Sequence, residues 1–181
     1  MKLDELSRIL RENDPAAVLV DPPDLRQVLR GVTGATWAFQ VPHAHCLVVD
    51  RFTLFKHVER DQLHLPADHA LPDAVLLLER PTTEELSGPR PDLLARYWQL
   101  LFHAAAHREL NARLANLSPV GLRERVEQIG PAAFEEARNV LAQDGFLPEG
   151  ADDRTAYAEF AAVFLELRYF NPTLISVCFP S

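Results

Sequence analysis

The sequence has few of the residues that build cross-linked or nucleotide-binding sites. It contains two cysteines, Cys46 and Cys178, without CxxC spacing, which excludes a disulfide framework and a cysteine-based zinc knuckle. Its seven glycines are dispersed, and neither GxxxxGK nor GxGxxG occurs, so the common phosphate-binding loops are absent. No GxSxG motif surrounds a serine, and neither cysteine has a nucleophile signature. We therefore predict no catalytic residues.

Positive charge and long apolar runs are also scarce. The 181 residues carry a net charge of −8, which disfavours nucleic acid or an anionic membrane as the main partner. No run approaches the roughly 18 apolar residues of a membrane-spanning helix, and the N-terminal "MKLDELSRILREND" lacks the apolar segment of a signal peptide. We predict a cytoplasmic protein. The 16 arginines against two lysines indicate GC-rich bacterial coding.

The N-terminal half predicts helices followed by a small sheet. Apolar residues recur at helical spacing over residues 3–11, and a second short helix follows the proline pair of "DPPDLRQVLRGV". "TWAFQV" (36–41) alternates in the manner of a strand, and "HCLVVDRFTLFKHV" (45–58) favours one or two more. "AVLLLERP" (74–81) is typical of a buried strand or of a helix start. The sheet region therefore spans residues 35–80, with about three strands in antiparallel or mixed arrangement.

The C-terminal half predicts a bundle of about four helices within residues 91–170. Thr82 and Glu85 have capping-box spacing for a short helix, and "SGPRP" at 87–91 is the only plausible domain boundary. Helices are then expected over 91–117, 119–130, 131–145 and 153–170, and the first should also pack on the sheet. The result is one α+β domain over residues 1–181. Its apolar tail "TLISVCFPS" is interpreted as a strand or as the cut end of a longer chain.

A polar stripe crosses the otherwise apolar helix "RYWQLLFHAAAHREL" (96–110). Projection at 100° per residue places four polar side chains on one face: Arg96, Gln99, His103 and His107. The last helix, also apolar nearly all round, carries Glu159 and Glu166 seven residues apart on one face. Because a buried carboxylate needs a partner, we predict that Glu159 or Glu166 contacts this stripe.

One interpretation of this pairing is a metal site. Imidazoles at i and i+4 can converge on one ion, and Glu159 or Glu166 would supply a third ligand. The arrangement resembles the zincins, in which one helix gives two histidines and a later helix gives a glutamate. That resemblance implies zinc as cofactor and hydrolysis as reaction. However, zincins carry HExxH, and here Ala104 occupies the position of the glutamate that activates water.

The other interpretation is a buried network of ion pairs and hydrogen bonds without a cofactor. The stripe's arginine favours this interpretation, because a guanidinium beside a divalent cation is repelled unless a carboxylate lies between them. A second histidine pair, His43 and His45 beside Cys46 in "VPHAHC", has no further ligands at recognisable spacing, and we predict no site there. The favoured function is a non-catalytic interaction or assembly module, whose partner is another protein or the remainder of a longer chain. A zinc-binding, zincin-like domain is the alternative.

Overall fold

The structure is a computed structural model that describes residues 1–33, 45–65, 69–147 and 150–179. The strand predicted at residues 36–41 lies outside these ranges. The chain divides into two compact units, residues 1–104 and 105–181, and the division falls inside one continuous helix. Within the described ranges, no helix has both the length and the apolar character needed to cross a membrane.

The first unit combines helices with the three described strands, and the described part of the second is helical. The first unit contains α1 (Leu3–Asn13), β1 (Ala17–Val20), α2 (Pro22–Thr33), β2 (Cys46–Asp50), α3 (Arg51–Leu54), a 3-10 turn (Arg60–Leu63), β3 (Ala74–Glu79), α4 (Thr83–Ser87) and the first part of α5 (Arg90–Ala115). The second contains the end of α5, then α6 (Pro119–Ile129), α7 (Pro131–Gln143), α8 (Asp153–Phe170), a 3-10 turn (Pro172–Leu174) and α9 (Ile175–Cys178).

The three strands form a mixed sheet in the order β1-β3-β2. β3 is central, pairing in parallel with β1 and antiparallel with β2. The register sets Leu19 opposite Leu78 on one side and Val48 opposite Leu76 on the other. The predicted α+β class, with a small N-terminal mixed sheet followed by a helical bundle, is confirmed.

Both faces of this sheet are buried. Alternate residues of β3 belong to two separate apolar clusters, with Leu76 and Leu78 in one and Val75 and Leu77 in the other. The first cluster includes residues of α1 and, from α5, Tyr97, so the expected packing of α5 on the sheet is confirmed. The second cluster includes residues of α2 and α3.

Three segments differ from the sequence-based expectations. β1 was not predicted, because the run Ala17–Val20 is buried throughout and therefore shows no alternation. Of the one or two strands expected within residues 45–58, one forms, because the Asp50 side chain accepts a hydrogen bond from the Thr53 amide and starts α3 after β2. The tail as far as Phe179 is not a strand: Pro172 opens a 3-10 turn that leads into α9.

In the second unit, the helix ends follow local capping chemistry. Ser118 accepts a hydrogen bond from the Gly121 amide at the start of α6, and Asp152 accepts one from the Thr155 amide at the start of α8. Between α6 and α7 the chain turns at Gly130, whose φ of 97° is left-handed and suits glycine. The principal apolar cluster joins α7, α8 and the loop between them: Phe134, Leu141, Leu147, Ala156, Val163 and Leu167.

Candidate metal-binding site

The two histidines of the stripe lie one helical turn apart on α5. His103 is buried, with 4% of its surface exposed, and the His107 side chain is 24% exposed. A spacing of four residues puts both imidazoles on one face, about 6 Å apart along the axis. Both residues belong to the one continuous helix α5.

Glu159 is carried by α8, two turns after its N-cap. The residue is buried, at 9% exposed, although it carries a carboxyl group. Its Oε2 lies 3.1 Å from Nε2 of His107. The predicted contact between the last helix and the polar stripe is therefore made by this pair within the second unit.

Together the three side chains form a compact group of candidate ligands. One ligand atom from each of His103, His107 and Glu159 lies within 4.8 Å of the other two. Zinc holds nitrogen and oxygen ligands at about 2.0–2.2 Å in tetrahedral geometry, which corresponds to ligand atoms about 3.3–3.5 Å apart. Closing the group around an ion thus requires at most about 1.5 Å of movement. Within the ranges that the structure describes, this is the one such group.

Burial makes an uncompensated charge at this site unfavourable. His103 and Glu159 are the two buried polar or charged residues among those described. Removing a carboxylate from water is unfavourable unless charge or hydrogen bonds compensate. A protonated His107 imidazole would supply part of that compensation. With both imidazoles neutral, a bound cation would supply it instead.

The other polar residues predicted for this network, Arg96, Gln99 and Glu166, do not belong to the group of candidate ligands. Arg96 forms ion pairs in the first unit, with Glu85 of α4 and, at 3.8 Å, with Glu79 of β3. It lies seven residues before His103, about 10.5 Å along the helix. Gln99 is half-buried on α5, and Glu166 is half-buried on α8.

The remaining sequence candidates that the structure describes are not part of a group of candidate ligands. Cys46 is buried in the sheet core, and His45 pairs with Glu79. His43 lies outside the described residues. Ala104, which stands where the zincin motif has its glutamate, is 3% exposed and packs in the sheet-side cluster. Among the described residues, no carboxylate is placed at that motif position to activate water.

The sequence did not reveal that Glu79 and Glu85 pair with Arg96. Glu79 ends a strand and Glu85 belongs to a capping box, where the Thr82 backbone N–H donates to its carboxylate at 2.8 Å. The pKa of Glu85 lies below its ordinary value, chiefly because of that hydrogen bond and secondarily because of the Arg96 charge, while partial burial opposes the shift. The capping-box spacing was visible in the sequence, but it does not reveal that α5 places an arginine beside it.

No protein-family model, curated protein or solved structure matches this chain, so the candidate ligands are assigned from geometry alone.

Proposed function

We propose that this protein binds one zinc ion through His103, His107 and Glu159. The observation that carries the proposal is the mutual approach of their ligand atoms to within 4.8 Å. Three protein ligands leave the fourth tetrahedral position to water or to a bound molecule. The ion links α5 to α8.

The donor set favours zinc over harder cations. Two imidazole nitrogens and one carboxylate oxygen are common zinc ligands, whereas calcium and magnesium take oxygen ligands almost exclusively. The i, i+4 pair and the carboxylate belong to regular helices, which hold their side chains in place better than loops do.

Local charge is compatible with a cation. The sequence-based objection was the arginine in the stripe, but Arg96 is ion-paired with Glu85 and Glu79 about two helical turns away. These two carboxylates therefore offset the positive charge of Arg96 and weaken its repulsion of a cation at the histidines. Since residue 104 is alanine, the proposed role is metal binding without the water-activating step of a zincin peptidase.

Calorimetric titration with zinc tests the proposal on the untagged chain. We expect about one ion per chain, and we expect His107→Gln and Glu159→Gln each to weaken binding at least about tenfold. His45→Gln is the matched control: His45 is 49% exposed and pairs with Glu79, so its loss should leave zinc affinity unchanged. Equal weakening by His45→Gln, or no saturable binding by the wild type, would contradict the proposal.

A second candidate function is the interaction module favoured by the sequence. Its support is exposed apolar surface on neighbouring elements, with Phe52 at 72%, Val48 at 40% and Phe55 at 38% exposed. Val48 belongs to β2, which lies at an edge of the described sheet. We expect the wild type to self-associate through this surface, which analytical ultracentrifugation would detect. Phe52→Ser should abolish the association. A wild type that stays monomeric at high concentration would contradict self-association through this surface.

A further inference from the structure

A cavity of about 260 Å³ lies in the first unit between α1, β1 and the 3-10 turn Arg60–Leu63. Its wall is partly apolar, with Leu3, Leu10 and Leu19 among its residues. None of the proposed zinc ligands lines it. Cavities that bind drug-sized molecules run from about 300 to 1,000 Å³ and combine an apolar wall with a few polar groups. The volume and lining here therefore fit a smaller ligand of mixed character.

Arg80 contributes a buried donor to this wall. Its side chain is 20% exposed, and its Nη1 lies 2.9 Å from Oδ1 of Asp21. Its Nε is buried and has no hydrogen-bond partner among the residues that the structure describes. Proteins rarely leave a buried guanidinium N–H without an acceptor, because its lost hydration is not replaced. Because Arg80 lines the cavity, a small shift of its side chain would present this N–H to a ligand oxygen, which would supply the acceptor.

Arg11 adds a second guanidinium from α1. Its Nε donates to the Ser7 carbonyl at 3.2 Å, and in the part of the chain that the structure describes this is its only hydrogen bond. Its terminal nitrogens are therefore available to an anion. Arginine suits carboxylate groups because its planar N–H groups match two carboxylate oxygens.

The position of Arg80 in the sheet supports a binding role. Asp21 and Arg80 directly follow β1 and β3, which run parallel, so their ion pair lies at the carboxyl ends of both strands. Asp21 also lies 3.2 Å from Nε2 of His64, another residue of the wall. His64 has a φ of 51°, the one left-handed non-glycine residue among those described. This conformation is common at a C-cap, and His64 caps the 3-10 turn Arg60–Leu63.

We infer that this cavity binds a small monocarboxylate with a short apolar chain. The carboxylate lies between Arg11 and Arg80, and the chain packs on the leucines of the wall. A multiply charged anion such as phosphate fits less well, because Asp21 offsets the charge of Arg80 and Asp4 also lines the cavity. Phosphate also leaves the apolar wall uncovered.

Hexanoate is the probe that tests this inference, followed by amide chemical shifts of the labelled chain. We expect saturable shifts in α1 and β1, with 1-hexanol and inorganic phosphate each binding at least tenfold more weakly. Arg11→Gln should weaken hexanoate at least tenfold. Arg8→Gln is the matched control, since Arg8 lies on the same helix, is 61% exposed and pairs with Glu12.

Arg11→Gln is the deciding variant, because Arg80 also holds Asp21 and its loss disturbs the fold locally. Ser7→Phe supplies a second test, in which a bulky side chain fills the cavity and abolishes binding without removing a charge. Absence of saturable shifts, phosphate binding as tight as hexanoate, or unchanged affinity in Arg11→Gln would overturn the inference. His107→Gln should leave hexanoate binding intact, so this test is separate from that of the zinc site.

Discussion

His107 Nε2 lies 3.1 Å from Glu159 Oε2, and this pair joins the second half of α5 to α8. Glu166, seven residues later on α8, was the equal candidate from sequence. The structure brings Glu159 into the histidine group and leaves Glu166 outside the set of mutually close ligand atoms.

The two glutamates should differ in their effect on metal affinity. We expect Glu159→Gln to weaken zinc binding at least about tenfold, because it removes a charged ligand, and Glu166→Gln to change it less than about twofold. Competition of each variant with a zinc-chelating dye measures the difference. Equal losses in both variants would show that the carboxylate is not specifically placed.

Metal-free stability should also depend on this pair. Removing Glu159 leaves His107 without its carboxylate in a site that is mostly shielded from water. We expect Glu159→Ala to lower the free energy of unfolding by about 1–3 kcal/mol in the presence of a chelator. Urea unfolding followed by circular dichroism measures it, and an unchanged midpoint would mean that the contact adds no net stability.

Arg154 is expected to stabilise the second unit by closing the end of α5. Its guanidinium donates to the carbonyls of Leu114 and, at 2.8 Å, of Leu117. The Leu114 carbonyl also accepts a hydrogen bond from the Leu117 amide at 3.0 Å. Because Arg154→Gln removes a charged donor from both carbonyls, it should cost about 1–3 kcal/mol of unfolding free energy. Arg113→Gln is the control: Arg113 is 74% exposed, and its pair with Glu109 is worth less than about 0.5 kcal/mol.

Tyr97 should make the first unit sensitive to alkali. It is fully buried, its hydroxyl donates to the Glu79 carbonyl at 2.6 Å, and burial raises its pKa well above the ordinary value. A raised pKa means that the folded state holds the proton more tightly. The stabilisation that the protonated Tyr97 hydroxyl gives to the folded state is therefore complete below the unfolded-state pKa of about 10. It is lost progressively as the pH rises above that value.

Tyr97→Phe tests that linkage in two ways. At neutral pH the variant should be less stable by about 1–3 kcal/mol, since a buried carbonyl loses its donor. Above pH 10 the difference from the wild type should shrink. Tyr169→Phe, at a residue 71% exposed, should change the stability at neutral pH less than Tyr97→Phe does. Parallel pH dependences for Tyr97→Phe and the wild type would contradict the assignment.

The capping box of α4 gives the opposite pH dependence. Thr82→Ala removes the acceptor for the Glu85 amide and should cost about 1 kcal/mol, whereas Thr83→Ala, one residue into the helix, should cost little. Because the folded-state pKa of Glu85 is lowered, its stabilising contribution is present above its unfolded value of 4.5 and is lost as the pH falls through the folded value. Thermal unfolding of Glu85→Gln from neutral to acidic pH measures this loss.

Helix ends were predictable from sequence because their causes are local. Ser118 before Pro119, Gly130 before Pro131, and Asn171 before Pro172 each mark a boundary that the structure retains. β1 was missed because burial on both faces removes the alternation on which strand prediction depends. Its flanking Asp-Pro turns were the available signal.

The sequence predicted which faces of two helices carry the candidate site, but it did not predict which residues on those faces form it. Helical projection aligned His103 with His107 and identified the acids of the last helix. It could not choose Glu159 over Glu166, because both lie on one face. It also could not show that Arg96 is ion-paired, because its partners Glu79 and Glu85 come from other elements of the first unit.

Metal content of the untagged protein tests the zinc proposal most directly. Elemental analysis after purification without chelator, followed by zinc addition and desalting, should give about one zinc per chain and an increased melting temperature. His107→Gln should retain little zinc after the same treatment. A wild type with less than about one-tenth equivalent and no thermal shift on zinc addition would contradict the proposal.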